Sequence, residues 1–378
     1  MSAPLPYGRQ SIDDEDVAAV AAVLRGDWLT TGPTVTAFET ALRDYTGAST
    51  ATAVTSGTAA LHVAYFAAGI GPGDEVVTTP LTFVATASCA TLLGASVVFA
   101  DIEEDTGCLD PRAAAAVTTA RTKVLAPVDY AGHPADLDAL RTVADGVGAL
   151  IVEDAAHSLG SLYRGRPVGT LAELTTLSFF PTKNLTTAEG GAVLSTDPAL
   201  GARAARFRSI GLVRDKAEQR YPDEGPWHQE VHELGLNYRL PDVLCALGLS
   251  QLARLERFKQ CRSRLVHRYD EGLADLPGVR LPGRRADVDP TWHLYPLRVL
   301  GGRRREVFDR LRADGVGVQV NYIPVYWHPF FEDLGYARGS CPVAEQYYRE
   351  EISLPLFVDL SDSDQDRVID AVRRIVGS

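Results

Sequence analysis

The sequence predicts an α/β fold in two parts: a large domain with N-terminal helices, residues 1–250, on a mixed, mostly parallel sheet, and a smaller C-terminal α/β domain, residues 251–378. Two patterns predict it. Between residues 51 and 153, short apolar runs alternate with helical stretches. Strands of a parallel sheet are buried on both faces and give such runs. Then a long helical pattern, residues 241–273, leads into a second and shorter round of strands and helices.

The elements follow in order. Residues 12–24 predict a helix, with Ser11 as its cap and Asp13, Asp14 and Glu15 in the first turn, where the helix dipole favours anions. L-T-T-G-P, residues 29–33, predicts a turn, and residues 34–45 a second amphipathic helix. Strands are predicted at 51–55, 75–79, 96–100, 123–128 and 149–153, with helices at 58–68 and 82–93. S-F-F-P-T-K-N-L-T-T-A-E-G-G-A-V-L-S-T reads as two strands meeting around Lys183. In residues 241–273, Leu244, Leu247, Leu252, Leu255 and Phe258 keep helical spacing on one face, behind Pro241 in the first turn. A Gly- and Pro-rich loop, 279–289, precedes a strand at 294–300, a helix at 304–314, a strand at 318–322 and a final helix from Ser361.

Composition narrows the function. The chain has 378 residues, 46% of them hydrophobic and 23% charged, as in a globular protein with ample core. Its net charge of −12 argues against nucleic-acid binding through the global field. The five cysteines, Cys89, Cys108, Cys245, Cys261 and Cys341, are scattered and never form a C-x-x-C pair. They suggest neither a disulfide framework nor a metal site, and fit a reducing cytoplasm. No apolar run reaches membrane-spanning length, so no membrane partner is expected.

Three motifs carry chemistry. T-S-G-T-A-A-L-H, residues 55–62, ends a strand and opens a helix, a geometry that holds a phosphate. I-V-E-D-A-A-H-S-L-G, residues 151–160, places Glu153, Asp154 and His157 at a strand's carboxyl end, where open α/β sheets bind ligands. Lys183 is then expected to end the apolar strand of residues 174–180, before the Glu189-Gly190-Gly191 turn, which is expected to leave space nearby. Each has a bland reading taken alone: a capped turn, a salt-bridged carboxylate, a surface lysine. Together they are the three groups that pyridoxal phosphate requires: a phosphate cradle, a carboxylate for the pyridinium nitrogen and a lysine for the aldehyde. A nicotinamide dehydrogenase lacks support, since no G-x-G-x-x-G occurs in the right context.

These motifs, with Y-G-R-Q-S-I-D-D-E-D, W-L-T-T-G-P, P-L-T-F-V-A-T-A, L-G-L-N-Y-R-L-P-D and Q-V-N-Y-I-P-V-Y, fall in one order along nearly the whole chain. In this the chain resembles the DegT/StrS family of pyridoxal-phosphate-dependent nucleotide-sugar aminotransferases. Within the family it most resembles the transaminases of pseudaminic acid biosynthesis, with the arabinose-modifying enzymes of lipid A a near second. The resemblance implies the aspartate-aminotransferase fold (fold type I) and a homodimer with shared active sites. It also implies transfer of an amino group from L-glutamate to the 4-keto carbon of a UDP- or dTDP-linked 4-keto-6-deoxyhexose. Amination at a 3-keto position and sugar dehydration are the alternatives. Dehydratase relatives have histidine where this chain has Lys183, which argues against dehydration, and intact Lys183 and Asp154 argue against a non-catalytic regulator.

Residue by residue, the resemblance implies that Lys183 bonds to the cofactor and then moves the proton. Asp154 holds the ring nitrogen protonated, His157 contacts the ring's phenolic oxygen, and Phe83 stacks on the ring. Gly57, Thr58 and Ser178 bind the phosphate, joined by Asn237 from the other subunit. Tyr7, Thr31, Arg239, Tyr322 and His328 fall in segments that line the substrate site, and Glu189 is a further candidate for substrate contact. Close relatives often have histidine where this chain has Phe180, so substrate fit is expected to differ there.

Overall fold

The structure, a computed structural model, describes residues 4–377. Its centre is a seven-stranded sheet: β1 (Thr50–Val54), β2 (Glu75–Thr78), β3 (Ser96–Phe99), β4 (Thr122–Ala126), β5 (Leu150–Asp154), β6 (Leu174–Ser178) and β7 (Gly191–Ser195). The strand order is β1-β7-β6-β5-β4-β2-β3. β3, β2, β4, β5 and β6 run parallel, and β7 is antiparallel to both β6 and β1. The carboxyl ends of β1, β2, β4, β5 and β6 therefore share one edge. Val76, Val77, Val124, Leu125, Ile151 and Val152 are fully enclosed, which explains why these strands read as continuous apolar runs.

The helices cover both faces. They are α1 (Asp14–Leu24), α2 (Pro33–Thr46), α3 (Gly57–Ala67), α4 (Ala85–Leu92), α5 (Pro111–Val117), α6 (Leu137–Val147), α7 (Pro198–Arg208), α8 (Asp242–Ala253) and α9 (Leu255–Leu273). α3 packs on β6 and β7 and against α4 and α7, α6 packs on β4 and β5, and α1 and α2 pack on α8. The C-terminal section has its own three-stranded sheet, with β8 (Val279–Arg280) and β10 (Glu351–Leu354) flanking β9 (Tyr295–Val299). It adds α10 (Arg304–Ala313), α11 (Pro329–Asp333), α12 (Pro342–Glu350) and α13 (Asp362–Val376), the last capped by Ser361.

Four local expectations are corrected. α1 is capped by Asp13 in a capping box with Asp16, while the Ser11 hydroxyl turns away to Asp359 at 3.0 Å. The helix expected over residues 241–273 breaks into α8 and α9 at Arg254. There the N–H reaches back only to Gln251 and Leu252, and the guanidinium is drawn to Asp13 and Asp16 of the first helix. Residues 318–322 form no strand, because the Asn321 N–H donates to the Glu351 carboxyl at 2.7 Å rather than to a neighbouring backbone. α5, α6 and α7 were not expected from the sequence pattern.

Candidate active site

Three strand ends, those of β1, β5 and β6, supply most of the site. β1 runs into Thr55 and Ser56, and the Ser56 hydroxyl caps α3 by accepting the Ala59 N–H at 3.0 Å. The N–H groups of Gly57 and Thr58, in the first helical turn, have no partner among the described residues. Ser178, the last residue of β6, stands beside them. A Cβ on Gly57 would lie 2.8 Å from the Ser178 Cβ, so only glycine allows this approach. The result is a small cradle with two amides and a hydroxyl at a helix N-terminus, suited to a phosphate.

Asp154 ends β5 and is almost wholly enclosed. Its carboxylate accepts the Thr86 hydroxyl at 2.7 Å and the Ala156 N–H at 3.2 Å. Burial pushes its carboxyl upward, and these two donors with the Lys183 ammonium pull it back in part. His157 lies just beyond, buried, with Nε2 3.1 Å from the Tyr322 hydroxyl. Its Nδ1 is enclosed with no partner. Burial, reinforced by Lys183, drives the ring's pKa far below its ordinary value and keeps it neutral. A second buried imidazole, His293, packs against it with ring centroids 4.3 Å apart.

Lys183 does not end a strand. β6 stops at Ser178, Phe179 makes one more exchange with Gly190 at 2.9 Å, and Pro181 can donate nothing further. The chain turns there, with the Lys183 N–H on the Phe180 carbonyl at 2.9 Å. Lys183 is partly exposed along its length, yet its surroundings crowd the amine. Desolvation lowers its pKa from 10.5 to about 8, opposed by the Asp154 carboxylate. The expected space around Glu189-Gly190-Gly191 is also corrected: a Cβ on Gly190 would collide with Thr187 Oγ1, and one on Gly191 with the Ser56 carbonyl oxygen. The glycines let β7 pass close to the phosphate cradle.

The remaining residues divide. Phe83 is exposed, 6.3 Å from the Tyr322 ring between centroids. Tyr7 accepts a hydrogen bond from the Asn321 side chain at 2.9 Å. Arg239 pairs through its backbone with Val54, and Asn237 with Ser209, so this segment runs beside the end of β1 within the same chain. Among the described residues, the side chains of Thr31, Glu189, Asn237, Arg239 and His328 make no hydrogen bond or ion pair to the cluster. Four residues that matter here were not singled out in the sequence: Thr86, Asn184, His293 and Asn321. Asn184 donates to the carbonyls of His157 and Thr291 at 2.7 and 2.9 Å, pinning the loop after β5. For Thr86 a signal existed, since Thr82 and Thr86 sit one helical turn apart beside Phe83.

The residues present fit pyridoxal phosphate. The cradle at Gly57, Thr58 and Ser178 suits its phosphate, the enclosed Asp154 its ring nitrogen, Lys183 its aldehyde, and the orphaned Nδ1 of His157 a further polar atom. Such a site at the carboxyl edge of this sheet defines a pyridoxal-phosphate-dependent transferase of fold type I, and specifically a transaminase. The comparisons place it further: the chain belongs to the DegT/DnrJ/EryC1/StrS aminotransferase family, which it matches over residues 10–373. It is 40% identical to the spore coat polysaccharide biosynthesis protein SpsC of Bacillus subtilis, over 98% of this chain and 97% of that protein. Its fold is similar to that of the sugar aminotransferase Spr1654 of Streptococcus pneumoniae in its PLP form, with a TM-score of 0.92 and 30% identity over 99% of both chains. PseC of Helicobacter pylori, an aminotransferase involved in the biosynthesis of pseudoaminic acid, is equally similar: TM-score 0.92, 30% identity, 99% of both chains.

Among the described residues, no helix is long and apolar enough to cross a membrane. None of their His, Cys, Asp and Glu side chains form a group of three able to hold a metal ion.

Proposed function

We propose that the protein transfers the amino group of L-glutamate to the 4-keto carbon of a UDP- or dTDP-linked 4-keto-6-deoxyhexose, releasing 2-oxoglutarate. The observation that carries this reading is the charge interaction of Lys183 with buried Asp154 in a chain that resembles sugar aminotransferases from end to end. When bound, pyridoxal phosphate supplies the electron sink that lets one amino group pass between two carbonyl carbons. Asp154 keeps a proton on the ring nitrogen. Thr86 and the Ala156 N–H orient its two oxygens for that task. Lys183 Nζ, with a pKa near 8, sits close enough to neutrality to accept a proton from the α-carbon of glutamate and to return one to the amino-bearing carbon of the sugar. His157 stays neutral and presents Nδ1 inward while Tyr322 holds Nε2.

The substrate contacts follow the same reading. Tyr7, Thr31, Glu189, Arg239, Tyr322 and His328 bind the nucleotide sugar or the donor carboxylates. Phe83 covers the ring. The active unit is a cytoplasmic homodimer, in which Asn237 reaches the phosphate of the other subunit's site. An apolar groove on one face supports a dimer: it is lined by Ile12, Val17, Leu24, Pro181 and Leu247, with Phe180 exposed nearby.

The test is incubation of the holoenzyme with L-glutamate and a panel of UDP- and dTDP-linked 3-keto and 4-keto sugars, read by mass spectrometry. A 4-amino sugar with stoichiometric 2-oxoglutarate is the expected product. A 3-amino sugar would correct the position, and no amine from any keto sugar would overturn the reading.

A further inference from the structure

Asn321 is enclosed, 7% exposed, and its N–H, its carbonyl and its side-chain Nδ2 are all engaged. Its N–H donates to Glu351 Oε2 at 2.7 Å, and its carbonyl accepts the Tyr130 hydroxyl at 2.6 Å. Its side-chain Nδ2 donates twice, to the Tyr7 hydroxyl at 2.9 Å and to Ser353 Oγ at 3.0 Å. Ser353 in turn donates to Glu351 Oε1, and its backbone pairs with Gln319. Four distant segments thus meet at one residue: the N-terminal arm, the loop after β4, the strand β10 and the stretch leading to Tyr322. The next residue, Tyr322, places its hydroxyl on His157.

The anchor on the far side is unusual. Glu351 is wholly enclosed, and no arginine or lysine bridges it among the described residues. Burial pushes its carboxyl up to about 8, so it is a neutral acid at pH 7 and needs no counter-ion. A buried polar network is tolerable only when its members are satisfied, and then it fixes one geometry. Here it points outward: the last donor of the network is spent on Tyr7, a residue of the substrate-lining arm.

We infer that Asn321 is a positioning residue: held by Glu351, Ser353 and Tyr130, it fixes Tyr7 and Tyr322 on either side of the site and thereby sets the binding of the sugar substrate. This rests on the reading of the protein as a nucleotide-sugar aminotransferase. Asn321 touches neither cofactor nor sugar; it acts through Tyr7. Loss of its amide frees the Tyr7 phenol, and loss of the phenol hydroxyl makes the amide's aim irrelevant. The two changes therefore compromise one interaction and do not add.

The experiment is a double-mutant cycle with N321L, which keeps the branched side-chain shape but removes its polar atoms, and Y7F. KM and kcat are measured with glutamate and a UDP-linked 4-keto-6-deoxy-N-acetylhexosamine. Each single variant should raise the sugar KM about tenfold, with kcat changed less, and the double variant should be no worse than the poorer single. Multiplication of the two effects to about a hundredfold, or a loss confined to kcat, overturns the inference. A second cycle reads thermal melting of the same three variants without sugar. Coupled losses in Tm support the Asn321–Tyr7 link, and additive losses overturn it. If the parent aminates none of the keto sugars, the functional reading falls, and the melting cycle alone then supports or overturns the role of Asn321.

Discussion

Asp154, at the floor of the site, is enclosed and accepts two hydrogen bonds from its own chain, whereas Asn237 and Glu189, at the margin, stand exposed with side chains that no described residue partners. The floor is finished within one chain. Asp154, His157 and the cradle at Gly57 and Ser178 are fixed by strand ends, a capped helix and threonine and asparagine donors. At the margin, the Asn237 and Glu189 side chains are unpartnered among the described residues, which fits the proposed contacts to a substrate or a second subunit. Chemistry that must be the same in every turnover is placed where packing fixes it. The side chains of Asn237 and Glu189 are left to segments that packing constrains less.

The comparison breaks most simply at Lys183. K183A should lower turnover by more than about a thousandfold, because the amine that binds the cofactor and carries the proton is gone. Its melting temperature should stay close to the parent's, since burial already disfavours the ammonium. Turnover within tenfold of the parent would remove Lys183 from the mechanism.

Asp154 comes next. D154N keeps the shape and the Thr86 contact but cannot hold a proton on the ring nitrogen, so turnover should fall on the order of a hundredfold while the cofactor is retained. Equal single-turnover rates for D154N and the parent would make Asp154 a structural residue. T86V sharpens the same point one layer out. It deletes the 2.7 Å donor to the Asp154 carboxylate, a bond of about 1.5–3 kcal/mol to a charged acceptor. Asp154 then shifts further toward its neutral acid. Turnover near neutrality should fall about tenfold, and the acid limb of the pH profile should move upward. A profile identical to the parent's would show that Thr86 does not tune Asp154.

At the margin the effects should be smaller and should depend on assembly. N237A is expected to weaken cofactor retention several-fold, read as loss of the bound chromophore on dilution. Heterodimers purified from K183A and N237D chains should recover activity, because one hybrid site carries neither change. Heterodimers no more active than either homodimer would mean that each chain builds its own site alone.

The same division governs how much could be read from the sequence. The parallel sheet was legible because its strands are buried on both faces, and the floor because Asp154 and the phosphate cradle sit at strand ends with local motifs. Lys183 was expected at a strand end, but the strand stops at Ser178, since pairing there depends on β7 and on Pro181, not on apolar character. The break at Arg254 was hidden because its cause is a pair of aspartates some 240 residues earlier in the chain. Asn321 and Thr86 were missed for a related reason. Each matters through a hydrogen bond to a residue distant in sequence: the Thr82–Thr86 spacing marks a position but not its partner Asp154, and nothing local marks the partners of Asn321.

The smallest expected effect concerns stability alone. Burial holds the Glu351 carboxyl at about 8, against about 4.3 in an unfolded chain. The folded protein therefore binds a proton that the unfolded chain has released. That contribution is complete below the unfolded value, shrinks as pH rises, and is gone above about 8. Tyr7, Tyr130, Tyr322 and Tyr347 feel the Glu351 charge, but all four are pushed above their ordinary value and stay neutral throughout this window, while the nearby Arg304 guanidinium favours ionisation of Glu351 modestly. E351Q cannot ionise, so it should lose less stability than the parent between pH 6 and pH 8. The slope should not vanish, because Glu153, which burial raises to about 7, contributes in the same direction. Urea unfolding of the cofactor-free protein at intervals across that range measures both slopes. Parallel slopes for parent and variant would mean that Glu351 is already ionised in the folded chain, and that the enclosure under Tyr7 is less complete than that under Asp154.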